Sequence, residues 1–121
     1  MDTVLIVDDD RQTRKFWRLA LQKEGFKVLE ACNGNECLWL YQEKSPDVVL
    51  IDLIMPEKDG VTTIDEIKKQ NKGSKVIAIS GGGVFFPETY LDEAEIVGAD
   101  ATLSKPISRD DLISAVRNVL N

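Results

Sequence analysis

The chain contains no histidine, and that absence removes more chemistry than any other feature of its composition. Imidazole is the side chain whose ordinary pKa lies nearest neutrality, and it is the commonest metal ligand. His-based general acid or base catalysis, imidazole metal sites and a phosphohistidine carried by this chain are therefore excluded. Cysteine is scarce. Cys32 and Cys37 have no second thiol pair to complete a zinc set, so they are expected to be reduced, partly buried thiols. No apolar run approaches the ~18–20 residues that span a bilayer, and Met1, Asp2 and Thr3 lack the basic and apolar regions of a secretory leader. A cytoplasmic location without membrane association is expected. Positive charge is outnumbered, 15 Lys and Arg against 21 Asp and Glu, for a net charge of −6. Nucleic-acid binding draws on a basic surface that neutralises phosphates, so no nucleic-acid partner is expected.

What remains is a chain of 121 residues, 43% hydrophobic and 30% charged, whose chemistry must run on carboxylates, hydroxyls and lysine. Its length suits one domain, 1–121, with a core large enough to need no staples. Strand and helix patterns alternate throughout. Val4, Leu5, Ile6 and Val7 form a short apolar run that stops at three aspartates, as a buried parallel strand would. A helix is predicted over 11–24, with Phe16, Leu19 and Ala20 facing inward and Gly25 as its stop. A strand at 27–31 and a helix at 36–44 follow, the latter bringing Cys37, Leu40 and Tyr41 together. Ser45 and Pro46 break that helix, and a third strand at 48–51 ends at Asp52.

The cycle then repeats. Asp59 and Gly60 mark a turn, and Val61, Ile64 and Ile67 give a helix to about 70. A fourth strand at 75–79 ends at Ser80, a loop covers 81–87, and a helix is predicted over 89–97 with Leu91 and Ala94 inward. A short strand at 101–103 precedes Lys105 and Pro106. In the last helix Ser108 is the N-cap, Asp111 lies three residues on, and Leu112, Val116, Val119 and Leu120 share one side. Five near-continuously apolar strands alternating with five helices imply an α/β fold: a flavodoxin-like, doubly wound parallel sheet in the order 2-1-3-4-5.

In such a sheet all strands point one way, and ligands bind beyond their carboxyl ends at the topological switch point. The residues just past those ends are Asp8, Asp9 and Asp10, then Asp52, Ser80 and Lys105. Singly, each has an ordinary explanation: a strand-end Asp caps a helix, as Asp10 is expected to do; a Ser turns the chain; a Lys is solvated. Together they place carboxylates, a hydroxyl and an ammonium on one edge. Packed carboxylates repel unless a cation intervenes, and Mg²⁺ accepts one or two carboxylates plus waters and phosphate oxygens. Asp9 and Asp52 are the expected direct ligands, with the backbone of Ile54 as a third and Asp8 acting through water. Asp52 is then a nucleophile toward an activated phosphoryl group, with Lys105 and Ser80 pairing with its oxygens.

At these residues the chain resembles the receiver domains of two-component response regulators. The matching segments are LIVDDD (5–10), DVVLIDLIMPEKDG (47–60), VIAISGG (76–82) and LSKPI (103–107). The resemblance implies Asp8 and Asp9 as an acidic pair, Asp52 as phosphoacceptor, Ser80 as switch hydroxyl with Gly81 beside it, and Lys105 as the phosphate-pairing lysine before a cis proline. It implies a signalling switch that catalyses its own phosphorylation and slow autodephosphorylation. The phosphoryl group would come from a histidine kinase or phosphotransfer protein, and the output would be binding to a downstream protein. The state would be a monomer or a weak dimer through the face of the last two helices.

Two features depart from the family pattern. Thr102 stands where an inward-turning aromatic or His is usual, so that side chain provides no aromatic gate. The loop 81–87 is longer than usual, and its three glycines permit close approach to a phosphate without forming a nucleotide loop, since no GK[ST] follows. Phe85 and Phe86 either meet a partner or pack inward. At the positions that tune hydrolysis, bulky Ile54 predicts a slow rate while small Gly82 argues the other way; a lifetime of minutes or longer is expected. Arg11, Arg14, Lys15 and Arg18 make a basic stripe, either a solvated face or a dock for an acidic kinase. Two rival readings are a haloacid-dehalogenase-type phosphatase, opposed by Gln12 at a position requiring Thr or Val and by the short chain, and a binding module with a vestigial pocket.

Overall fold

The computed structural model describes residues 2–55, 58–80, 95 and 97–121. Its centre is a five-stranded sheet in the order β2-β1-β3-β4-β5, every neighbouring pair parallel. The strands are β1 (Thr3–Val7), β2 (Lys27–Ala31), β3 (Val48–Asp52), β4 (Lys75–Ser80) and β5 (Ala101–Ser104). Among the described residues there are four helices, not the five expected: α1 (Arg11–Lys23), α2 (Gly34–Lys44), α3 (Gly60–Gln70) and α4 (Arg109–Leu120). The helix expected over 89–97, like the loop at 81–87 with Gly81, Gly82, Phe85 and Phe86, falls on residues outside the described ones, Glu95 and Val97 apart.

The central strands are apolar on both faces because each face meets a different helix pair. Leu5, Val7, Val49, Ile51, Val76 and Ala78 pack with Cys37 of α2 and with Ile64 and Ile67 of α3. The alternate residues Val4, Ile6, Val48, Leu50, Ile77 and Ile79 pack with Trp17, Ala20 and Leu21 of α1 and with Leu112, Ile113 and Val116 of α4. Side chains alternate across a strand, so two buried faces require an unbroken apolar run.

Local chemistry starts each helix. Asp10, Asn33, Asp59 and Ser108 are the N-caps, each side chain accepting a backbone N–H of the first turn. The Asn33 cap starts α2 at Gly34 rather than at 36. Helix α2 ends where Ser45 turns left-handed at φ 46° ahead of Pro46. Gly25, at φ 92°, turns the chain out of α1.

One predicted face is only partly right. Ala20 is buried as expected, but Phe16 and Leu19 are 50% and 52% exposed, and Trp17 and Leu21 are buried in their place. At ~100° per residue, the stripe through 17, 20 and 21 leaves Phe16 on its flank and Leu19 on the far side. Apolar character at 16 and 19 gave no means of ranking them against a Trp one position away.

Candidate active site at the carboxyl edge

The first strand delivers Asp8 into the interior. Its side chain is fully buried, its backbone N–H donates to Ala31 O at 3.2 Å, and its Oδ1 accepts from Asp10 N at 2.7 Å. Asp9 is exposed. Asp10 turns to cap α1, and its carboxyl is held below the usual range chiefly by the Thr13 hydroxyl. Three consecutive aspartates thus have three different environments.

Asp52 ends β3 and is 4% exposed, with Oδ1 accepting the Ile54 N–H at 3.0 Å. Ile54 itself is 46% exposed. Gly60 permits this arrangement. A Cβ there would sit 2.5 Å from the Asp52 carbonyl oxygen and 2.6 Å from Leu53 Cα, so only glycine lets the start of α3 rest on the strand end. The Gly60 N–H closes the contact by donating to Leu53 O at 2.9 Å. Reading Asp59 and Gly60 only as a turn misses this; a DG pair following a strand-end aspartate was the available signal.

Lys105 comes from the far side of the sheet. Its backbone N–H donates to Ser80 O at 2.8 Å, and its ammonium donates to Asp8 Oδ2 at 2.8 Å and Asp52 Oδ2 at 3.0 Å. The Lys105–Pro106 peptide is cis. Ser80 is fully buried at the end of β4, paired in register with Ser104, and Thr102 lies opposite Ala78. Sequence reasoning placed Asp8, Asp9, Asp52, Ser80 and Lys105 at this edge, and the fold brings the three aspartates and the lysine into one cluster.

Two other side chains support it. Arg14 donates from Nη1 to the Asp8 carbonyl at 2.7 Å and from Nε to Glu30 at 3.2 Å. Arg18 meets the other oxygen of Glu30 at 2.8 Å, so half of the basic stripe is already engaged within the molecule. Beneath Lys105 lies the ring of Trp17, its centroid 5.6 Å from the ammonium. No local sequence feature announces that contact, because the two residues belong to opposite ends of the chain.

Asp8, Asp9 and Asp52 each offer an oxygen within 4.8 Å of the others. Against these three carboxylates stands one ammonium, so two negative charges are left over within the cluster. A hard oxygen-binding divalent cation matches both the donor type and the surplus charge. The strain shows in Asp52, whose carboxyl is pushed up to about 6, first by burial and also by the nearby Asp8 charge, despite the Ile54 hydrogen bond and Lys105. On Lys105, burial acts to lower the pKa, but hydrogen bonding to Asp8 and the charge of Asp52 outweigh it and the ammonium is held more firmly.

Residues 4–117 match the family model of the response regulator receiver domain. The chain belongs to the response regulator receiver family. It is 36% identical to the chemotaxis protein CheY of Bacillus subtilis, covering 98% of this chain and 97% of that one. With the transcriptional regulatory protein CpxR of Klebsiella pneumoniae it shares 32% identity, over 99% of this chain but 50% of that protein. A receiver domain structure from Clostridium thermocellum superposes with a TM-score of 0.92 at 31% identity, over 100% of this chain and 95% of that one. No helix among the described residues is long and apolar enough to cross a membrane.

Proposed function

We propose that this receiver domain is a phosphorylation-activated switch of a two-component relay, with Asp52 as the phosphoacceptor. The observation that carries the proposal is a single lysine joining two buried carboxylates from different strands, beside a third carboxylate, with net negative charge left over.

In the proposed reaction an Asp52 oxygen forms a bond to phosphorus while the bond to the donor breaks, its electron pair leaving with the donor. The donor is a phosphohistidine of a kinase or phosphotransfer protein, or a small acyl phosphate. Mg²⁺ would be held by Asp9, Asp52 and the Ile54 backbone, with Asp8 through water, and when bound supplies charge neutralisation at the phosphoryl oxygens. Lys105 pairs with one of those oxygens as a point charge, and Ser80 donates to another. With a pKa of about 6, Asp52 is mostly ionised at neutral pH and ready as a nucleophile.

Adding nearly two negative charges draws Ser80 and Lys105 toward the phosphoryl group and repacks the edge, which a downstream protein reads. Thr102 leaves that readout without an aromatic gate. Exposed Ile54 cannot orient an attacking water and favours slow hydrolysis, while small Gly82 in sequence argues the other way; a lifetime of minutes or longer is the expected balance. Because Arg14 also holds the Asp8 carbonyl, a kinase dock on the basic stripe is better tested at Arg18.

Incubation with an acyl phosphate and Mg²⁺ followed by mass spectrometry tests the proposal. A stable phosphoryl adduct that disappears in D52N is expected. Continuous turnover would instead favour a phosphatase, and no reaction a vestigial binding module.

A further inference from the structure

Lys105 has an unusual set of neighbours. Its ammonium bonds Asp8 and Asp52 at 2.8 and 3.0 Å, and on another side it faces the ring of Trp17 at 5.6 Å from the centroid. Trp17 is 3% exposed and anchored in the core between α1 and the sheet. Lys105 is less enclosed, its side chain 24% exposed. Lysine and tryptophan both line an open groove of about 520 Å³, together with Phe16, Pro106 and Ile107.

That groove matters because an ammonium is compact, strongly hydrated and carried on a four-carbon stem with many rotamers. Water on the groove side competes with the acidic pocket for it. An aromatic face attracts a cation through its negative quadrupole, and the attraction grows as water is excluded. Trp17 is rigidly packed, whereas the carboxylates of the pocket change partner when a phosphoryl group arrives. The indole, held in the core, is thus a neighbour of the ammonium whose place does not depend on those exchanges.

We infer that Trp17 is a positioning residue for phosphoryl acceptance, its indole face keeping the Lys105 ammonium over the Asp8–Asp52 pair and out of the adjoining groove. The inference rests on Asp52 being the phosphoacceptor.

The test compares W17F, which keeps an aromatic face, with W17L, which fills much of the volume without one. Two quantities are read in the full chain: the saturating rate and half-saturating concentration for an acyl phosphate with Mg²⁺, and the NMR shifts of the Lys105 ε-methylene protons, which a nearby ring moves upfield. Thermal melting checks folding of both variants. W17L is expected to lower the saturating rate about 5-fold and to abolish the upfield shift, with W17F recovering most of both. Equal rates in wild type and W17L, or equal losses in W17F and W17L that track melting temperature, overturn the positioning role. A retained upfield shift in W17L overturns the contact itself. If the wild type takes no phosphoryl group, the phosphoacceptor reading falls and the role of Trp17 falls with it, even with the shift intact. Should W17L fail to fold, W17M replaces it with the same expected outcomes.

Discussion

Two ionic clusters flank α1 and behave in opposite ways. At its start, Asp8 and Asp52 share Lys105 beside the exposed Asp9, and the carboxyl of Asp52 is raised to about 6. At its end, Glu24 receives Arg109 at 2.6 Å and Arg117 at 2.8 Å, and its carboxyl is lowered, first by the Arg109 hydrogen bond. The second cluster has its charges matched, since Arg109 also lies 3.9 Å from Asp110, and it is partly exposed, tying α1 to α4. The first has too few cations, and two of its three carboxylates, Asp8 and Asp52, are buried. Folding tolerates the mismatch because the surrounding sheet faces supply the stability, which sets the acidic edge apart from the surface clamp.

Replacing Asp52 should break the comparison most completely. D52N is expected to abolish phosphoryl uptake and yet to raise stability at pH 7 by on the order of 2 kcal/mol, measured by urea denaturation. The direction follows from the protons. The folded state keeps the Asp52 proton up to about pH 6, whereas an unconstrained Asp releases it near 3.8. Between those values the folded state binds more protons, so its stability falls as pH rises, and above pH 6 the loss is complete. D52N should flatten that slope; an unchanged slope would remove Asp52 as its source.

Next in size, G60A should cost about 2 kcal/mol, because the new methyl group must push α3 away from the strand carrying Asp52. It should also slow phosphorylation, whereas an overpacked site remote from the pocket would cost stability alone. Mg²⁺ should sharpen the contrast between clusters. At ten times its dissociation constant it should stabilise the wild type by about 1.4 kcal/mol in thermal melts, and do so far less in D52N. The smallest effect is expected from E24Q: a slight drop in melting temperature, diminished by salt, with phosphorylation unchanged.

Much of this was legible from residues alone. The apolar runs at 4–7 and 48–51 are long enough only for strands and too uniformly apolar for strands with a wet face, so a sheet covered on both sides followed. Asp8, Asp52, Ser80 and Lys105 could be placed on one edge because parallel strands share direction. The orientation of α1 was misjudged, since Phe16, Trp17 and Leu19 are all apolar and the choice among them depends on what the sheet presents. Gly60 was visible as a turn but not as a spacer, because the clash it avoids is with backbone from another element.

Sequence pattern, being local, determined the alternation of strands and helices, their caps and the residue types gathered at the carboxyl edge. Tertiary structure alone decided that Asp8 is buried while Asp9 is exposed, that one lysine joins Asp8 to Asp52, and that Trp17 lies beneath it. Those outcomes depend on distances between residues as far apart as Asp8 and Lys105, 97 positions along the chain. Burial and charge act through space, so the raised carboxyl of Asp52 exists only once the sheet has closed around it.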